Sequence, residues 1–281
     1  MSTGKLAAII GWPVHQSLSP MIHSYWLKKY GIAGTYVALP IAPENFERCI
    51  SALPLMGFAG VNVTVPHKEA AFTLSSTHDP DALITEAVNT LIFKQDAIMG
   101  LNTDAIGFEA SIRDSLGENV IKGGTVAILG AGGAARAVSL ALVRLGACEI
   151  RIANRTRARA EALAKTLAAR ASVKLVEWGD WQRAFTNVSL LVNSTSLGMT
   201  GKPPLELSLT ELPTEAAVAD IVYNPLETKL LQSARRRGHR TMDGLGMLMH
   251  QAAPAFAAWF GIVPAVTDEL RSELTKALAR A

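Results

Sequence analysis

Residues 126–136 read VAILGAGGAAR, and this stretch decides the fold. An apolar run from Thr125 has strand character. Gly130, Gly132 and Ala135 then form G-x-G-x-x-A at the opening of a small-residue helix, AARAVSLALVRLG. Small residues let the backbone approach a pyrophosphate, and a helix N-terminus offers unpaired N–H groups with a partial positive charge. A tight turn that binds nothing shares the pattern; the strand before it and the helix after it favour dinucleotide binding.

Downstream, EIRIAN, the helix RARAEALAKTLAARA and the strands VKLV, SLLVNST and AVADIVYN continue a mononucleotide-fold order. An NAD enzyme places Asp or Glu at the end of the second strand, about 20 residues on, to bond the ribose 2′-hydroxyl. This chain has Asn154, Arg155 and Thr156 there, with Arg159 one turn later. A carboxylate would repel a 2′-phosphate, whereas guanidinium groups bind it through charge-assisted bonds, so NADP is the expected cofactor. Arg157 reads as a solvated helix face.

Upstream, LAAIIG, TYVALPI, GVNVTVP and NTLIF read as strands, with helices after Ser19-Pro20 and from Glu44. Past Gly246 the pattern is helical, through Trp259 and again from Thr267. A C-terminal helix pair of this kind packs back on the first domain. The expected fold is therefore α/β with two domains. Residues 1–105 with 246–281 form a substrate-binding domain with a mostly parallel sheet; residues 106–245 form a Rossmann NADP-binding domain.

Composition narrows the function classes. The chain has 281 residues, 49% hydrophobic and 18% charged, enough for one large core or two ordinary ones. With a net charge of +3 and basic runs free of interleaved aromatics, no nucleic-acid groove is indicated. The two cysteines, Cys49 and Cys148, lack metal spacing and fall in apolar stretches that suggest buried thiols in a reducing cytoplasm. The start, MSTGKLAAIIGWPV, reads as a first strand rather than a signal segment, and 252–266 is too short and too interrupted to span a bilayer. The six histidines show no paired ligand spacing, so no metal site is expected.

Polar residues stand at the ends of the apolar runs of the first domain. Ser17 and Ser19 lie two apart, so an extended backbone would turn both hydroxyls to one side; Ser19 before Pro20 also suits a plain helix cap. Thr64 and Lys68 bracket a Val-Pro turn, Asn89 precedes TLIF, and Asp104 ends GLNTD. Each alone is an ordinary turn residue or cap. Together, beside a dinucleotide domain, they suggest a site for a small hydroxylated molecule.

In order and spacing, GWPVHQSLSP, GVNVTVPHKE, EAVNTL, GLNTDAIGF, GAGGAARAV, NRTRARAEAL, NSTSLGM, DIVYNP and DGLGMLMHQAA resemble the shikimate dehydrogenase family over nearly the whole chain. The resemblance implies reversible NADPH-dependent reduction of 3-dehydroshikimate to shikimate, on the route to chorismate and the aromatic amino acids. It implies that Ser17, Ser19 and Tyr223 hold the substrate carboxylate, with Thr64 close by, and that Lys68, Asn89, Asp104 and Gln251 hold the ring hydroxyls. It also implies a pyrophosphate loop of Gly130, Ala131, Gly132, Gly133 and Ala134, and an adenosine-phosphate clamp spanning Asn154, Arg155, Thr156 and Arg159. Ile221 and Gly244 become backbone positions near the nicotinamide. Gln16, Ser24 and Glu86 depart from the family pattern, where histidine, asparagine and glycine are usual.

Reduction of a ring ketone builds negative charge on its oxygen. The residues at hand make Lys68 the expected proton donor, oriented by Asp104, with His67 a bystander because neighbours in an extended segment face opposite ways. Close alternatives are a quinate/shikimate or an aminoshikimate dehydrogenase; a non-catalytic metabolite sensor is the alternative from another class. The expected partner is a small-molecule substrate, with no nucleic acid or membrane, and the chain a cytoplasmic monomer or homodimer.

Overall fold

The computed structural model describes residues 4–280. The chain divides into two compact units, Met1–Thr103 with Met249–Ala277, and Asp104–Leu248 with Leu278–Ala281.

The first unit carries the strands β1 (Lys5–Gly11), β2 (Gly34–Pro40), β3 (Phe58–Val63), β4 (Thr77–His78), β5 (Thr90–Phe93) and β6 (Ile98–Leu101). Among them run the helices α1 (Ser19–Lys29), α2 (Phe46–Ala52), α3 (Lys68–Leu74) and α4 (Pro80–Thr85). The strands form one sheet in the order β2-β1-β3-β5-β6-β4. β1 pairs parallel with β2 and β3, and β5 runs antiparallel to both β3 and β6. β1 is an inner strand, and Ala7, Ala8, Ile9 and Ile10 are all buried, which is why it reads as an unbroken apolar run rather than an alternating one. Ala8 and Ile10 pack with Phe46, Ile50 and Leu91. The C-terminal residues complete the core: Trp259 donates Nε1–H to Leu91 O at 3.1 Å, and Phe256 stands in edge contact with Trp26.

The second unit opens with α5 (Asp104–Leu116) and continues through β7 (Thr125–Leu129), α6 (Gly133–Arg144), β8 (Glu149–Ala153), α7 (Arg157–Leu167) and β9 (Ser172–Val176). Then come α8 (Trp181–Phe185), β10 (Val188–Asn193), β11 (Ala217–Asp220), α9 (Lys229–Arg236) and β12 (Thr241–Met242). Its sheet is parallel throughout, in the order β12-β11-β10-β7-β8-β9. Order reverses beside β7, the strand that leads into the glycine turn, which is where open α/β sheets bind nucleotides. The helix α10 (Gly244–Phe260) carries residues of both units, and α11 (Asp268–Leu278) follows it.

The structure corrects three expectations. His67 and Lys68 do not lie in an extended segment: β3 stops at Val63, His67 is the N-cap of α3, and Lys68 is that helix's first residue. The opposite-faces argument for His67 therefore lapses. Its ring is instead engaged internally, bonded to Ile41 O at 2.8 Å and stacked on Phe46. Ser19 does not cap α1; that place belongs to Leu18, while Ser19 lies inside the first turn with its side chain buried. Neither cysteine is buried: Cys148 is exposed just ahead of β8, where Sγ lies 3.1 Å from Gly123 O, and Cys49 is half-buried on α2. Cys49 still packs against the first unit's core, whereas Cys148 sits in the turn ahead of β8, outside the strand its apolar neighbours belong to.

Among the described residues no helix is long and apolar enough to cross a membrane. No group of three or more His, Cys, Asp or Glu side chains there is placed to hold a metal ion.

Candidate active site

In the first unit the expected substrate residues lie at one edge of the sheet. β1 and β3 are parallel neighbours, with Ile10 opposite Val63, so both chains leave the sheet on the same side. Past β1 the chain turns at Trp12, whose N–H bonds Val65 O at 3.1 Å, and runs to Ser17, whose hydroxyl oxygen accepts the Ser19 N–H at 3.2 Å. Past β3, Thr64 N–H bonds Ile10 O at 2.8 Å, and Lys68 O accepts Val88 N–H at 2.9 Å. That bond brings the start of α3 beside the segment that holds Asn89. Lys68 is half-buried, Asn89 buried.

Asn89 is wired from several directions. Its Oδ1 accepts Thr103 N–H at 2.9 Å and the Thr90 hydroxyl at 3.0 Å. Its Nδ2 donates to Thr103 Oγ1 at 2.9 Å and lies 3.4 Å from Gln251 Oε1. Thr103 Oγ1 in turn donates to Gln251 O at 2.8 Å. Behind them Asn62 Nδ2 donates to Thr90 Oγ1 at 3.0 Å, and Tyr36 OH donates to Asn62 Oδ1 at 2.7 Å. All but the half-buried Gln251 are buried, and their bonds to one another rigidify the amides they carry. Sequence reading overlooked Tyr36, Asn62, Thr90 and Thr103. The available signal was a polar residue inside an apolar strand, since a buried amide must find partners.

Asp104 and Tyr223 fall in the second unit. Asp104 begins α5 and is buried; Tyr223 lies three residues past β11, where desolvation raises its phenol above the ordinary value.

The second unit also carries all the expected cofactor residues. Gly130 has φ +111°, a conformation L side chains rarely adopt, and a Cβ there would crowd Ser194 Oγ at 2.8 Å. At Gly132 and Gly133 a Cβ would meet no protein atom within 4 Å, so the ground above the α6 N-terminus stays open. No side chain caps that helix, which leaves its first N–H groups for a ligand. Ala131 is buried under the turn and Ala134 half-buried. After β8, Asn154 Nδ2 donates to Thr156 O at 2.7 Å and shapes the turn. Arg155 and Arg159 are exposed and have no carboxylate partner among the described residues, whereas Arg157 is paired with Glu161 and Glu177. A Cβ at Gly244 would collide with Ile221 O, so only glycine lets the start of α10 pass so near β11's exit. An open helix N-terminus, a glycine cradle and two uncommitted guanidinium groups fit a dinucleotide with an additional phosphate.

A parallel sheet with this turn at its switch point, joined to a mixed-sheet unit with a wired polar edge, defines a two-domain pyridine-nucleotide oxidoreductase. Residues 9–91 match the model for the shikimate dehydrogenase substrate binding domain, and residues 114–200 match that for shikimate / quinate 5-dehydrogenase. The NADP(+) shikimate dehydrogenase of Paramagnetospirillum magneticum is 51% identical over 269 residues, 95% of this chain and 97% of that protein. A Thermus thermophilus shikimate 5-dehydrogenase solved with NADP(H) and shikimate is 35% identical, covers 98% of this chain and 99% of its own, and superposes with a TM-score of 0.84. A Corynebacterium glutamicum quinate dehydrogenase solved with NAD is 30% identical, covers 98% and 100%, and has a TM-score of 0.89. The chain belongs to the shikimate dehydrogenase family.

Proposed function

We propose that the chain is a cytoplasmic NADP-dependent shikimate dehydrogenase that interconverts 3-dehydroshikimate and shikimate on the route to chorismate and the aromatic amino acids. The observation that carries this reading is near-full-length similarity to a protein named as that enzyme. The acid-free turn bearing Arg155 and Arg159 supports the choice of cofactor. The first unit takes the substrate and the second takes NADP.

Ser17, Ser19 and Tyr223 hold the substrate carboxylate through hydroxyl donors, with Thr64 beside them. Asn89 and Gln251 bond the ring hydroxyls, and their shared network through Thr103 sets which atoms face the ligand. Neutral amides and hydroxyls suit a polyol, since they form many bonds without desolvating a charge. NADPH, when bound, supplies the hydride that reduces the ring ketone. Lys68 Nζ gives a proton to the oxygen that gains charge and recovers it in the oxidative direction; the Asp104 carboxylate orients that ammonium. Gly130, Ala131, Gly132, Gly133 and Ala134 cradle the pyrophosphate through backbone N–H groups. Asn154, Arg155, Thr156 and Arg159 clamp the 2′-phosphate, and the backbones of Ile221 and Gly244 border the nicotinamide. The protein acts on small molecules without nucleic acid or membrane, as a monomer or homodimer.

Steady-state oxidation of shikimate and of quinate, each with NADP and with NAD, tests the reading. Turnover is expected with shikimate and NADP above the other three combinations; turnover confined to quinate with NAD would overturn it.

A further inference from the structure

One buried carboxylate has no part in the chemistry above. Asp220, the last residue of β11, is 0% exposed, and no cation pairs with it among the described residues. Its three partners are neutral donors. Oδ1 accepts Asn193 Nδ2 at 2.9 Å and Val222 N–H at 3.0 Å, and Oδ2 accepts Thr228 Oγ1 at 2.8 Å. Burial pushes the acid up to about 6 against the pull of those bonds, so the fold holds a carboxylate where an apolar residue would cost less.

The three donors lie on three different segments at the carboxyl ends of the parallel strands. Asn193 ends β10 and stands opposite Asp220 in the sheet register. Its Oδ1 accepts Thr195 N–H at 3.1 Å and the Thr195 hydroxyl at 2.7 Å, and its Nδ2 also reaches Leu197 O at 3.2 Å. Ser194 next to it donates to Leu129 O at 2.7 Å, directly before the glycine turn. Val222 follows Ile221, whose own N–H bonds Asn193 O at 3.0 Å. Thr228 caps α9, accepting Leu231 N–H at 3.3 Å while donating to Asp220. The carboxylate thus ties the turn after β10, the turn after β11 and the start of α9 into one network. An asparagine at 220 could still accept from Asn193 and Val222 through Oδ1. At the place of Oδ2 it carries an NH2 group with no lone pair to accept the Thr228 hydroxyl, so that bond is lost.

We infer that Asp220 and Asn193 are positioning residues for the nicotinamide half of the cofactor, holding the turns after β10 and β11 at the spacing that half requires. The inference rests on the proposed placement of NADP on this unit. It assigns the adenosine-phosphate half to a different device, the Arg155 turn after β8, which among the described residues shares no hydrogen bond with the Asp220 network.

That separation gives the test. Dissociation constants of NADP⁺ and of 2′,5′-ADP, which lacks the nicotinamide half, are measured by calorimetry for wild type, Asp220→Asn, Asn193→Ala and Arg155→Ala. Loss of a bond to a charged group predicts that Asp220→Asn and Asn193→Ala weaken NADP⁺ about tenfold and leave 2′,5′-ADP within about twofold. Arg155→Ala is expected to weaken both ligands. Equal weakening of both ligands by Asp220→Asn would mark a general structural defect and overturn the inference, as would unchanged NADP⁺ affinity in Asp220→Asn and Asn193→Ala. If Arg155→Ala changed neither ligand, the placement of the cofactor would fall instead. Should Asp220→Asn fail to fold, Asn193→Ala decides alone by the same two ligands.

Discussion

Asn89 and Thr103 bind each other in both directions: Asn89 Oδ1 accepts the Thr103 N–H at 2.9 Å, and Asn89 Nδ2 donates to Thr103 Oγ1 at 2.9 Å. A backbone N–H can only donate, so the atom facing it must be the amide oxygen. The polarity of Asn89 is thereby fixed by a neighbour rather than left to the ligand. Thr90 adds a second donor to the same oxygen.

Thr90→Val keeps the shape of the side chain and removes that hydroxyl. Asn62 Nδ2 and Asn89 Oδ1 each lose a partner in a buried place, which is expected to lower unfolding stability by about 1–3 kcal/mol. Urea denaturation measures it, with a rise in KM for shikimate as the accompanying sign of a loosened Asn89. A midpoint equal to wild type would refute the rigid network.

Lys68 is assigned the proton. General acid–base catalysis is typically worth about 10² to 10⁴ in rate, so Lys68→Ala should lower kcat by that factor with KM for shikimate nearly unchanged. A kcat within a few-fold of wild type would transfer the role elsewhere.

Glu86 occupies a position where the family usually has glycine, and the backbone shows why: it closes α4 in the left-handed region, with φ 50° and ψ 36°. A non-glycine residue there costs roughly 1–2 kcal/mol, partly offset by the greater freedom glycine has in the unfolded chain. Glu86→Gly is therefore expected to stabilise the protein by about 0.5–1 kcal/mol, read as a higher Tm. A fall in Tm would show that the contacts of the Glu86 side chain outweigh the strain.

His23 lies buried among Trp26, Tyr36, Phe256 and Trp259, with no hydrogen-bond partner for either ring nitrogen among the described residues. Desolvation lowers its pKa from 6.5 to about 3. The unfolded chain thus takes up a proton that the folded chain refuses. The contribution of neutral His23 is complete above pH 6.5 and is lost as the solution acidifies toward pH 3, by on the order of 5 kcal/mol. His23→Phe removes this dependence. Its stability relative to wild type should rise steadily between pH 6.5 and 3 in denaturant titrations; a constant difference would contradict the assignment.

The alternation of strands and helices and the glycine turn were legible because they are local: apolar runs of fixed period, small residues at fixed offsets. Short elements carried too little pattern to be seen. α3, α4 and the two residues of β4 span a turn or two each, and α5 starts in GLNTD, which reads as a loop. The Asn89 network was illegible for another reason. Tyr36 and Asn62 lie 26 positions apart, and Asn89 and Gln251 lie 162 apart. No spacing rule links residues that only the sheet order brings together. Asp220 stood within DIVYNP as one more polar residue at a strand end; burial, which distinguishes it, is a property of three dimensions.

Trp259 reaches back across the chain, to Leu91 O through Nε1 and from Lys5 Nζ to its own carbonyl at 2.7 Å. During synthesis β1 to β6 emerge from the ribosome long before Phe256 and Trp259 have been made. Residues 104–248 are contiguous and can close on themselves first. The earliest part of the polypeptide is thus the last to finish: its aromatic layer waits, partly uncovered, for the final helices. A ribosome that stalls after Leu248 would release one unit short of only its last few residues and one without its lining, a species for chaperones to shelter rather than a smaller working enzyme.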